Sequence, residues 1–202
     1  MEMSAWLEHR IEQAYIAVAR DPQHNLAPIH RALVYNLLGS MSEEHSYRRR
    51  VRLELLTAQY VLPLWERVWP ENRIMRNLIE QAVHFSQGNT EVEHIGYAAN
   101  AVAEQLEAMW EVSEGSLEVA ACFAGEGIIM AAFTIGGLDP FGDIIIDNDM
   151  REEDLDDSAS DSAKWAAAAL AGQVDKESGD KFVRREFWRW WLYEAIPTAY
   201  AA

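Results

Sequence analysis

The sequence predicts an all-α fold, a single domain over residues 1–202 with about eight helices packed around a central apolar helix at about 117–135. Apolar residues recur at helical spacing along nearly the whole chain. Helix-capping and helix-stopping residues separate these runs. Only Asp143–Asp147 has the β-branched character of a strand, and no hairpin partner lies near it. These observations favour helices over sheet throughout.

The first two helices are bounded by familiar signals. Ser4 can cap the first helix, and Asp21-Pro22 stops it. Pro28 suits the first turn of the second helix, because its missing N–H is not needed there. Gly39 suits the C-terminal end of that helix.

The third and fourth helices follow directly. The third begins near Ser42, and we expect Pro63 to kink or break it before Trp65 and Trp69, because proline removes a backbone donor. The fourth helix ends at Gly88-Asn89.

The fifth and sixth helices form the apolar centre of the prediction. Thr90–Glu93 has the pattern of a capping box and starts a long fifth helix. Leu117–Leu138 is apolar enough to suggest a membrane span, but it contains Glu118 and Glu126 and lacks flanking Lys or Arg anchors. We therefore predict a core helix, in which Gly125-Glu126-Gly127 allows close packing rather than nucleotide binding.

The last two helices are rich in alanine and tryptophan, respectively. We predict a seventh helix over Ala163–Ala171 and a final one over Phe182–Ile196, ending before Pro197. In the final helix Trp188 is expected to point away from the apolar stripe. That stripe consists of Phe187, Trp190 and Trp191.

The composition limits the partners and the compartment. With 33 acidic against 17 basic residues, the net charge of −16 argues against binding nucleic acid or an anionic membrane and favours a basic partner. We expect Arg48–Arg50 and Arg184-Arg185 to be internal counter-charges. The single cysteine, Cys122, and an N-terminus without signal-peptide character predict a cytoplasmic protein.

One stretch concentrates the negative charge. From Asp139 to Asp161 there are ten acidic residues and one basic residue, Arg151. We interpret the stretch as an acidic loop that contacts a partner, although a loop that only keeps the protein soluble has about equal support. The candidate partner-binding residues are Asp139, Asp143, Asp147, Asp149, Glu152, Glu153, Asp154, Asp156 and Asp157.

Metal binding is the alternative interpretation. Glu91 and His94 have the Glu-x-x-His spacing of di-iron bundles, and a helical-bundle enzyme would add Glu104 or Glu107. No second copy of the motif exists. Asp147-Asn148-Asp149 opens like a calcium-binding EF-hand loop, but the later positions of that pattern do not fit. A looser calcium site in this stretch, and with it a calcium-binding helical protein, stays open as a further alternative.

Catalytic motifs are missing from the sequence. It contains neither a nucleophile elbow nor a Walker-type phosphate loop. Cys122 lies in the most apolar segment, where a thiol usually serves packing. We therefore expect no catalytic residues and no cofactor. The oligomeric state is left open.

Three segments carry a family resemblance. They are Leu56–Glu66 (LTAQYVLPLWE), the alanine-rich run Trp165–Gly172, and Arg184–Pro197 (RREFWRWWLYEAIP). Together they resemble an all-α family of bacterial immunity proteins from polymorphic toxin systems, the fifth family of that classification. The likeness covers roughly residues 45–200. It implies a non-enzymatic protein that binds and neutralises a cognate toxin, and the acidic balance implies a toxin with a basic surface.

Overall fold

A computed structural model describes residues 3–39, 43–88, 92–141, 161–172 and 179–201. No strand occurs within these ranges, and the predicted all-α class is confirmed. The run Asp143–Asp147 lies outside them. The helices are α1 (Ala5–Arg20), α2 (Pro28–Leu38), α3 (Glu44–Val68), α4 (Ile74–Ser86), α5 (Val92–Trp110), α6 (Ser116–Ile135), α7 (Ser162–Ala171), α8 (Lys181–Trp190) and α9 (Ile196–Tyr200), with a π-helical turn at Trp191–Ala195.

Helix α6 is the centre of the bundle. It packs against α3, α4, α5 and α7. By length and composition it could cross a membrane, but 72% of its apolar window is buried inside the protein. The central apolar helix is therefore confirmed, and the protein's own helices cover the apolar surface that suggested a span.

Two glycines let neighbouring helices approach α6. A Cβ on Gly125 would lie 2.8 Å from Met75 Cε of α4 and 3.1 Å from a methyl of Leu106 on α5. A Cβ on Gly127 would lie 3.2 Å from the carbonyl oxygen of Ser162, where α7 begins. The predicted role of these glycines in close helix packing is confirmed.

The predicted capping of α1 by Ser4 is confirmed. The Ser4 hydroxyl accepts a hydrogen bond from the Leu7 N–H at 3.3 Å. Asp161 caps α7 in the same way, and Gly172 ends that helix with a φ of 90°. The capping box predicted at Thr90 lies outside the described residues.

The sequence predicts a kink or a break at Pro63, and of these the break is wrong. Helix α3 continues through Pro63 to Val68. Proline has no N–H, so Pro63 cannot donate the helical hydrogen bond to the Gln59 carbonyl. Both Pro63 and Gln59 are exposed. Water can satisfy that carbonyl, so the cost of the missing bond is small enough for packing to override it.

The C-terminal helix also extends further than predicted. The chain continues from α8 through the π-helical turn into α9, past Pro197. The prediction that Trp188 points away from the core is wrong, because Trp188 is buried against Phe187 and Trp191. Helix α8 packs against both α1 and α7, so it buries two faces rather than one stripe. Trp190 is instead half-buried and stacks on Tyr60.

Candidate functional site

The predicted acidic loop is described only at its two ends. Asp139 and Asp161 lie within the described residues. The remaining candidate partner-binding residues lie outside them, as does the incomplete EF-hand pattern. Those candidates are Asp143, Asp147, Asp149, Glu152, Glu153, Asp154, Asp156 and Asp157.

Asp139 is engaged with the bundle itself. Its Oδ2 accepts a hydrogen bond from Arg50 Nη1 at 2.7 Å, and Oδ1 accepts one from the Phe141 N–H at 3.1 Å. The Arg50 side chain is 3% exposed and the Asp139 side chain 31% exposed. The carboxylate therefore neutralises a buried arginine, and part of its surface remains accessible to solvent.

Asp161 holds the other end of the acidic loop. Its side chain is fully buried, and Oδ2 accepts a hydrogen bond from Arg31 Nε at 2.6 Å. Oδ1 accepts a second hydrogen bond from the Lys164 N–H, which caps α7. One carboxylate thus starts a helix and neutralises a buried arginine from α2.

A third buried acid lies between these ion pairs. Glu54 on α3 accepts hydrogen bonds from the Tyr35 hydroxyl and, at 2.5 Å, from the Ser162 hydroxyl. Burial raises the pKa of Glu54 to about 7, although both hydrogen bonds oppose the shift. Burial, followed by the charge of Glu54, raises the pKa of Tyr35 well above its usual value. Tyr35 therefore remains a hydrogen-bond donor at physiological pH.

These groups form one cluster, which we call the buried junction. The Arg50 guanidinium lies 5.6 Å from the Tyr35 ring centroid, and the Phe141 ring lies 5.5 Å from the same ring. The described chain on either side of residues 142–160 therefore ends on the same set of contacts, at Phe141 and at Asp161. The buried junction consists of Arg31, Tyr35, Arg50, Glu54, Asp139, Asp161 and Ser162.

The predicted role of the arginine clusters as internal counter-charges is confirmed for Arg50 by its ion pair with Asp139. Arg49 lies over the Tyr200 ring at 3.8 Å. The buried Arg184 donates to the Gln23 carbonyl at 3.0 Å. Arg48 is exposed and pairs with Glu44 on its own helix. These clusters thus combine structural arginines with a surface residue.

A second acidic surface lies on the hairpin of α5 and α6. A groove of about 550 Å³ runs between the two helices. On its wall the Trp110 Nε1–H donates to Glu126 Oε1 at 3.1 Å. The groove is lined by Asn100, Ala103, Glu104, Glu107, Trp110 and Glu126.

The surroundings of this groove are also acidic and partly apolar. Glu111 and Glu114 are exposed in the turn after α5. Val112 and Leu117, at the same end of the hairpin, are 75% and 61% exposed. Acidic groups next to exposed apolar side chains can meet a partner that presents lysine or arginine side chains with their aliphatic stems.

The sequence analysis does not predict this acidic groove, because its glutamates do not form a dense run in the sequence. The acids of the hairpin are spread along two helices. The available signal was the absence of bases, since residues 77–150 contain neither lysine nor arginine. A helical hairpin with no cation of its own necessarily presents a negative surface.

The metal interpretation finds no assembled ligand set in the described part of the chain. Within those ranges no three His, Cys, Asp or Glu side chains come together as metal ligands. His94 is exposed, Glu104 and Glu107 line the groove, and Glu91 lies outside the described residues. Cys122 is buried 3.5 Å from the Ser113 hydroxyl, and burial raises the pKa of its thiol. A protonated thiol is a poor nucleophile and a poor metal ligand.

The fold defines the class, an all-α helical protein. The family profile described as "Immunity protein Imm5" matches residues 11–198. Because that match covers nearly the whole chain, the protein belongs to the Imm5 family of immunity proteins. The resemblance inferred from the sequence is confirmed. A comparison with curated proteins found no significant match.

Family membership sets the general role. An immunity protein protects against a toxin, so a cognate toxin is the partner that the family implies. Immunity proteins of this kind are generally not enzymes.

Proposed function

We propose that this protein neutralises a cognate bacterial toxin by binding it directly, without catalysis, and that its acidic surfaces dock onto a basic surface of the toxin. Membership of the Imm5 family supports toxin neutralisation, and the acidic charge distribution supports binding to a basic surface. The single observation that carries the mode is the α5–α6 groove, where Glu104, Glu107 and Glu126 surround a half-buried Trp110. Tryptophan is enriched among residues that dominate binding energy.

Charge complementarity provides the physical mechanism. A toxin that acts on nucleic acid exposes lysine and arginine to bind phosphates, and carboxylates on a rigid scaffold can occupy those positions. Opposite fields also accelerate association, because they steer the two proteins together. Fast capture suits an immunity protein, since free toxin harms the cell that makes it. We place this encounter in the cytoplasm, in keeping with the single cysteine.

Two acidic regions of the chain are candidates for the contact. One is the acidic stretch Asp139–Asp157, and the other is the α5–α6 groove. They can be separated by three sets of substitutions. The segment variant replaces Asp147, Asp149, Glu152 and Glu153 with Asn or Gln; the groove variant replaces Glu104, Glu107 and Glu111 with Gln; the control replaces the exposed Glu8, Glu12 and Glu71 with Gln.

The test uses the protein encoded by the reading frame next to this gene. That protein is expected to be toxic alone, harmless when co-expressed with this chain, and bound in a stable complex by titration calorimetry. The segment variant, the groove variant or both should bind more weakly than the control. A toxic neighbour that this chain neither binds nor neutralises would refute the proposal, as would stoichiometric iron, manganese or zinc in the purified protein.

A further inference from the structure

The described part of the buried junction contains one more carboxylate than it contains arginines. Among the described residues it contains two arginines, Arg31 and Arg50, and three carboxylates. Two of these carboxylates, Asp161 and Asp139, form ion pairs with the arginines. The third, Glu54, accepts hydrogen bonds only from hydroxyl groups in the described part. Counted over these described residues alone, the junction has a net charge of −1 with Glu54 ionised and is neutral with Glu54 protonated.

The groups around Glu54 come from every element that packs there. Helix α2 contributes Tyr35 directly and Arg31 through its pair with Asp161. Helix α3 contributes Arg50, and the chain after α6 contributes Asp139 through its pair with Arg50. Asp161 and Ser162 face it from the start of α7. The nearest charge effects on Glu54 oppose each other, since Asp161 disfavours the carboxylate and Arg50 favours it.

Full burial favours the protonated form of Glu54 over the ionised form. Glu54 is 0% exposed, so an ionised carboxylate there loses its hydration and gains two neutral hydrogen bonds in return, while the repulsion of Asp161 outweighs the attraction of Arg50. A protonated carboxyl avoids this cost. Its O–H can donate to the oxygen of Tyr35 or Ser162, since a hydroxyl can both donate and accept.

We propose that Glu54 is a proton switch: the buried junction binds one proton as the solution is acidified through the neutral range, and the protonated junction holds α7 more firmly against α2 and α3. The ionised junction retains the same contacts but carries a buried excess charge. The device is independent of toxin binding. Glu54 contacts α7 through the Ser162 hydroxyl, next to the capping residue Asp161.

The direction of the pH effect follows from linkage. Burial raises the pKa of Glu54 from the ordinary 4.5 to about 7. Below pH 4.5 the group is protonated in both the folded and the unfolded chain. Between about 4.5 and 7 the folded chain holds a proton that the unfolded chain has lost, so stability falls as pH rises. Above pH 7 the group has no further effect.

Urea unfolding of the full chain from pH 5 to pH 8.5 tests the switch. Glu54→Gln keeps the shape and the neutral state, and the exposed Glu71→Gln serves as the control. The folding equilibrium constant of the parent should fall relative to that of Glu54→Gln by a factor approaching ~10 per pH unit between pH 5 and 7. The control should run parallel to the parent. Parallel curves for the parent and Glu54→Gln would overturn the proposal.

A direct titration covers the case in which Glu54→Gln does not fold. In the parent protein labelled with ¹³C-glutamate, nuclear magnetic resonance should show one side-chain carboxyl with a midpoint near pH 7. Ser162→Ala should move that midpoint upward, because the Ser162 hydrogen bond lowers the pKa of Glu54. If every glutamate in the parent titrates in the ordinary acidic range, the switch does not exist.

Discussion

Arg31 and Asp161 form an ion pair whose two side chains are 1% and 0% exposed, with Nε and Oδ2 2.6 Å apart. The residues are 130 positions apart in the sequence, so this contact joins the second helix to the start of the seventh. Removing one partner of a buried pair leaves an uncompensated charge, which costs more than the pair itself contributes. The docking of α7 therefore depends on this contact.

Asp161→Asn should destabilise the protein by about 3–5 kcal/mol, because the buried Arg31 guanidinium loses the carboxylate that its Nε contacts. The asparagine oxygen can still cap α7, so the substitution separates the ion pair from the cap. Urea unfolding gives the free energy. The double variant Arg31→Met with Asp161→Asn should recover part of the loss, and a strictly additive double variant would show that the charges do not interact.

Two glycines in helices should respond in opposite ways to alanine. Gly96 on α5 has open space around the position of a Cβ, so Gly96→Ala should stabilise the protein by about 0.5–1 kcal/mol through helix propensity. Gly127→Ala places its Cβ 3.2 Å from the Ser162 backbone, so that gain should be cancelled or reversed. Thermal melts of both variants decide the matter. An equal gain at the two sites would contradict the close approach of α6 and α7.

Pro63→Ala should leave the fold intact and raise stability by about 1 kcal/mol or less. The alanine N–H restores a hydrogen bond to the Gln59 carbonyl, while the loss of proline makes the unfolded chain more flexible and offsets part of the gain. Circular dichroism should show helicity that is unchanged or slightly higher. Loss of the folded signal would mean that α3 requires the proline.

The tryptophans separate the core from the surface. Trp188→Leu removes a side chain that is 2% exposed and should cost about 2–4 kcal/mol. Trp6→Leu changes a side chain that is 66% exposed and should cost less than about 0.5 kcal/mol. Chemical denaturation compares the two. Similar costs would show that the C-terminal helix is not packed as described.

The fold was predictable from local signals, and the exceptions have tertiary causes. Ser4 lies at the start of a helix, and Gly39 and Gly172 lie at helix ends. Their effects on the backbone extend over only a few residues, so the sequence reveals them. Pro63 is tolerated because its side of α3 faces water, which no local pattern reveals. Trp188 is buried because α8 meets two helices, which depends on the arrangement of the whole bundle.

The layout of the buried junction was not predictable from the sequence, and the basic partner stays a prediction. The acidic balance indicates a basic partner from composition alone. That Asp139 and Asp161 would turn inward to Arg50 and Arg31 required knowledge of which helices meet, since the pairs span 89 and 130 residues. Glu54 carried no sequence signal, because a lone glutamate in a helical pattern resembles a surface residue.

The most direct test of binding through acidic surfaces is the association rate with the neighbouring toxin, measured by stopped flow at low and at high salt. The rate for the parent should fall steeply with salt, because screening weakens steering. In the groove variant, the segment variant or both, the low-salt rate should be lower and the salt dependence flatter, with the melting temperature level or slightly higher. The control should match the parent. Rates and salt dependence unchanged from the parent in both acidic variants would contradict the account.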